Sequence, residues 1–118
     1  AIPIALKRAY EEASPEDGYR VLVDGLWPRG ISKDDAALDE WMKTVAPSGD
    51  LRKRFHAGAL GWNAFRRRYL SELKAHRSEL RELAGRAKHD RVTLVFGAKD
   101  EARNNAVVVK QYLKMLKV

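Results

Sequence analysis

Two short stretches of the chain, Tyr19-Arg20-Val21-Leu22-Val23 and Arg91-Val92-Thr93-Leu94-Val95-Phe96, are near-continuous runs of apolar and β-branched residues. Runs of this kind suit strands buried on both faces, as in a parallel sheet covered by helices. Residues Ile4 to Ala9 form a shorter mixed run that suits an edge strand. Between Gly61 and Ala87 the period changes. Trp62, Phe65, Tyr69, Leu73, Leu80, Leu83 and Ala87 recur at three- and four-residue steps, which predicts one long helix with a single apolar stripe.

The punctuation agrees with this reading. Ser14-Pro15-Glu16-Asp17-Gly18 has turn chemistry, and Asp24 to Gly30 contains two glycines and a proline that forbid a continued strand. Ser32 or Asp34/Asp35 suits the cap of a helix reaching about Val45, with Leu38, Trp41 and Val45 on one face. Pro47-Ser48-Gly49-Asp50 ends it and caps a short helix from Leu51 to about His56. After Gly97-Ala98-Lys99-Asp100 a last helix is expected from about Glu101 to Leu116, because Ala106, Val109, Leu113 and Leu116 keep helical spacing through a valine triplet. The sum is a small single α/β domain over residues 1–118, with a parallel sheet of about three strands or slightly more covered by helices.

Composition narrows the class. At 118 residues and 45% hydrophobic content the chain has room for one core, and its apolar runs are far shorter than the ~20 residues of a bilayer span. The N-terminal residues lack the layout of a secretory signal, so a cytoplasmic location and no membrane partner are expected. Without cysteine there is no thiolate chemistry, and His56, His76 and His89 have no metal-ligand spacing. The net charge of +7 is uneven: Leu51 to Arg91 holds 12 basic and 4 acidic residues. Such clustering attracts polyanions, so a nucleic-acid surface over Arg66, Arg67, Arg68, Lys74 and Arg77 is one reading, and solvated helix faces the other.

A parallel sheet brings the loops after its two buried strands to one edge, where open α/β folds bind ligands. The first loop carries Asp24, Trp27, Pro28 and Arg29, with Lys33 beyond it. The second carries Lys99 and Asp100, followed by Arg103, Asn104 and Asn105. Cations near a helix N-terminus suit a phosphate or carboxylate. Asp24, Asp100 and Lys99 are the candidates for catalysis, and Asp24 and Asp100 have the chemistry for a general base or for Mg²⁺. Asp24, Arg29 and Lys99 are expected in one cluster, which serves equally for an ion pair or a ligand. No nucleophile elbow and no phosphate-binding glycine loop is present. The sequence leaves open which cofactor, if any, is used and whether a divalent metal binds, and nothing fixes the oligomeric state.

The segments RVLVDGLWPRGISKDDAALDEWMKTVAPSGDLRKRF, WNAFRRRYLSEL and VTLVFGAKDEARNNAVVVKQYL resemble domain-of-unknown-function family 488 in its YeaO-like branch, over Lys7-Arg8 through Tyr112. The resemblance implies an α/β domain with both motif loops at the carboxyl edge, and it assigns no reaction. It carries the family pattern onto Lys7, Arg8, Asp24, Trp27, Pro28, Arg29, Gly30, Lys33, Trp41, Pro47, Lys99, Asp100, Asn105 and Tyr112. Gly25 stands where the family usually has arginine, and Phe96-Gly97-Ala98 where another branch has Cys-Ala-Glu. The expected function is thus an anion pocket, with or without enzymatic activity, lined by Arg29, Lys33, Trp27, Lys99, Asn105, Lys7 and Arg8. A nucleic-acid-binding accessory protein is the alternative.

Overall fold

The computed structural model describes residues 3–117. Four strands, β1 (Ile4–Arg8), β2 (Tyr19–Leu22), β3 (Glu40–Trp41) and β4 (Val92–Phe96), form one sheet in the order β1-β4-β2-β3, with every pair parallel. The expected adjacency of the two apolar runs holds: Tyr19 lies beside Val92 and Leu22 beside Val95. The bonds from Val23 N–H to the Val95 carbonyl and from Ala9 N–H to the Phe96 carbonyl carry the pairing past the strand ends. Gly18 precedes β2 at φ +66°, and a Cβ there would fall on the Arg91 carbonyl oxygen, so only glycine fits this entry into the sheet.

The two faces of the sheet divide by the period-two rule. Val21, Val23, Val92, Leu94 and Phe96 point into the main core with Phe65, Tyr69, Leu73, Leu80, Val109 and Leu113. Leu22 and Val95 point the other way, into a smaller core closed by Trp27, Ile31, Leu38 and Trp41. On that second face the Arg20 guanidinium is buried, donating to Asp17 at 2.7 Å and to the carbonyls of Ala36 and Ala37.

Among the described residues, five α-helices complete the fold: α1 (Lys33–Ala36), α2 (Gly49–His56), α3 (Trp62–Leu73), α4 (Arg77–Arg86) and α5 (Asn105–Met115). The predicted long helix is present as α3 and α4 joined through one tighter turn at Lys74–His76. Two expectations are corrected. The helix to Val45 stops at Ala36, because Ala37 takes a left-handed conformation (φ 47°) and the chain then pairs with β2 as β3. Leu38 and Trp41 keep helical spacing only because both return to the same small core. The last helix starts at Asn105 rather than Glu101, because the Asp100 carboxylate takes the N–H groups of Ala102 and Arg103. Asn104 then caps α5 by accepting from Val107 N–H. No described helix is long and apolar enough to cross a membrane.

Candidate functional site

Beyond the carboxyl ends of β2 and β4, on the main-core side, lies a cavity of about 300 Å³. That is the lower end of the size range for small-molecule sites. The loop after β2 contributes Asp24, Gly25 and Leu26, and the loop after β4 contributes Gly97 and Ala98. Helix α2 supplies Arg52, Phe55 and His56, α3 supplies Phe65, and the start of α5 supplies Asn104 and Asn105. Pro47 completes the rim. Arg52 and His56 are four residues apart, which puts them on one helix face.

Asp24 is the organising group. One carboxylate oxygen accepts the Gly97 N–H at 2.8 Å, and the other accepts the Asn105 side-chain amide at 2.9 Å. The same amide donates to the Val23 carbonyl at 3.1 Å, so it ties α5 to the end of β2. A Cβ at position 97 would stand 3.1 Å from the Asp24 oxygen, which explains why glycine suits the site. Burial raises the Asp24 pKa above the ordinary carboxylate value, against the opposing pull of the Asn105 and Gly97 bonds and of the His56 charge. Behind Asn105 the fully buried Tyr69 hydroxyl donates to the Val45 carbonyl at 2.6 Å. Burial first, and then the charges of Asp24 and Glu72, push its phenol well above the usual value and keep it a neutral donor.

The sequence-selected residues divide. Asp24 and Asn105 come together in the cavity; Arg29, Lys33, Lys99, Asp100, Trp27, Lys7 and Arg8 lie outside its lining. Of the two readings of the expected Asp24, Arg29 and Lys99 cluster, the ion pair is not formed: Asp24 makes no salt bridge with Arg29 or Lys99 among the described residues, and its carboxylate is engaged by amides instead. Arg29 and Lys99 are exposed, and Arg29 takes part through its backbone, accepting from the Tyr10 hydroxyl. Lys33 is exposed at the first turn of α1. Trp27 belongs to the opposite face, donating to the Ile31 carbonyl at 2.7 Å and meeting Trp41 edge-on. Lys7 is paired with Asp17. Arg8 donates to the Ala98 carbonyl at 2.8 Å and so braces a loop that lines the cavity without entering it.

Of the basic set, Arg66 bonds Gln111, whereas Arg67, Arg68, Lys74 and Arg77 are exposed along α3 and α4. No described group of three or more metal-ligating side chains converges. Sequence reasoning missed Arg52, Phe55 and His56. The available signal was the four-residue step between two cationic or titratable side chains on a short helix. What the sequence did not give is the side of the sheet on which that helix lies.

A family model described as the inactive DUF488-N3 subclade matches residues 3–116. The chain is 48% identical over 113 residues to uncharacterised protein YeaO of Escherichia coli (strain K12), covering 96% of this chain and 98% of that protein. It is 43% identical over 112 residues to uncharacterised protein Rv3073c of Mycobacterium tuberculosis (strain ATCC 25618 / H37Rv), covering 93% and 92%. No solved structure matches.

Proposed function

The chain belongs to the DUF488 family, in its inactive N3 subclade, and from that footing we propose that it is a binding protein for a small anionic ligand carrying a phosphate or carboxylate group. The observation that supports this reading is the convergence of Arg52 and His56 with Asp24 and Asn105 on one cavity at the carboxyl edge of the sheet. Arg52 is half-buried, faces the cavity and has no acidic partner among the described residues. A cation held in that way is suited to an incoming anion. The backbone N–H groups at the start of α5 supply further donors nearby, while both N–H groups of the Asn105 side-chain amide are held by Val23 and Asp24.

Binding fits better than catalysis. The cavity lining offers one carboxylate and one imidazole, and no hydroxyl or amine that could act as a nucleophile. The word "inactive" in the family's description is in keeping with that content.

The test is a thermal or denaturant melt with phosphate, sulfate or acetate, each against chloride at matched ionic strength. At an anion concentration 100 times its Kd the wild type should gain about 2.7 kcal/mol. Arg52→Met should keep its basal stability within about 1 kcal/mol, since no ion pair is lost, and should lose the anion-induced gain. An equal gain in the variant would place the anion elsewhere. No gain in the wild type would defeat the reading.

A further inference from the structure

Resting on the anion-site reading, we infer that the ligand is an aromatic acid, a flat ring bearing a single phosphate ester or carboxylate, rather than a free inorganic anion. Two features of the lining support this. First, the basic side chains Arg52 and His56 occupy one element only, α2, while Leu26, Pro47, Phe55 and Phe65 make much of the remaining wall apolar. Phe55 and Phe65 stack with their centroids 4.2 Å apart and their planes within 20°. A hydrated inorganic ion leaves such surface in contact with water, whereas a ring covers it, and aromatic contacts add to the gain from burial. Leu26 is 63% exposed beside this wall, and a ring in the cavity would extend apolar contact to it.

Second, the Asp24 carboxylate shares the cavity with Arg52 and His56. Its charge opposes a compact multivalent anion taken into the same small space. A ligand whose acid group is carried at the end of a ring can meet Arg52 and His56 while its body separates that group from Asp24. Each Asp24 oxygen already accepts one hydrogen bond and keeps a further lone pair. An N–H or O–H donor on the ring therefore has an acceptor to meet.

The experiment is calorimetric titration of the full chain with inorganic phosphate, phenyl phosphate, cyclohexyl phosphate and benzoate. The expected result is phenyl phosphate binding at least about tenfold more tightly than inorganic phosphate, and more tightly than cyclohexyl phosphate. Phe55→Leu keeps an apolar side chain of similar bulk and should cut the phenyl phosphate affinity about two- to tenfold while leaving inorganic phosphate unchanged. Comparison of phenyl phosphate with benzoate identifies which acid group the site takes. Equal affinity for phosphate and phenyl phosphate would overturn the aromatic-acid inference and leave the anion site standing. Binding of none of the four would overturn both.

Discussion

Arg20→Met should cost about 3–5 kcal/mol of unfolding free energy, the largest effect of any single change considered, because it breaks a buried ion pair from one side. Arg20 is 4% exposed and Asp17 8%. The guanidinium donates to Asp17 and reaches two carbonyls at the end of α1, so one side chain pins both the turn before β2 and the crossover after it. Methionine fills much of the volume and satisfies none of those acceptors. Lys7 and the Ser14 N–H remain on Asp17, so the carboxylate is not stripped entirely. Arg20→Lys should recover only part of the loss, because an ammonium lacks the planar fork that serves Asp17 and Ala36 together. Guanidinium chloride melts of the three proteins measure this. A loss below about 1 kcal/mol in Arg20→Met would mean that the cluster does not hold the second face of the sheet.

Asp24→Ala should destabilise the fold by about 1–3 kcal/mol at neutral pH, since it orphans the Gly97 N–H and one donor of the Asn105 amide. The pH dependence carries more information than the magnitude. The folded-state pKa of Asp24 is raised by burial, so the native state binds this proton more tightly than the unfolded chain. The wild type therefore carries a charge-burial cost at neutral pH that is relieved as pH falls through the raised value toward the unfolded one. The alanine variant has no such group, so its deficit should widen on acidification. Asp17 behaves oppositely. Burial alone would raise its pKa, but the bonds from Ser14, Lys7 and Arg20 outweigh that and lower it. Its contribution is present above the unfolded value and lost as pH falls through the folded one, equally in both proteins. A deficit that narrows in acid would mean that a cation neutralises Asp24 after all.

Much of this architecture is legible in the sequence, for a physical reason. Strands β2 and β4 are buried on both faces, so hydrophobicity marks them without ambiguity. Once both are parallel, the meeting of their loops follows, and on that basis the meeting of Asp24 with Asn105 at the sheet edge is legible. The two misread helices have separate causes. Asp100 delays α5 by an exposed turn, and Ala37 breaks a helical pattern that tertiary packing had produced by another route. Arg29 and Lys99 lie outside the cavity lining, because sequence proximity to a motif loop does not say which face of the sheet the loop turns toward. The Asp24–Gly30 segment crosses to the smaller core with Trp27, and Arg29 goes with it, while α2 comes from outside both loops to fill the cavity.

The most direct measurement of the central claim is an ¹H–¹⁵N spectrum of the full chain titrated with phenyl phosphate and inorganic phosphate. The account predicts saturable shifts of the Gly97 backbone amide, the Asn105 side-chain amide and the amides around Arg52 and His56. Shifts confined to Arg67, Arg68, Lys74 and Arg77 would contradict it and assign the anion to the outer face of α3 and α4.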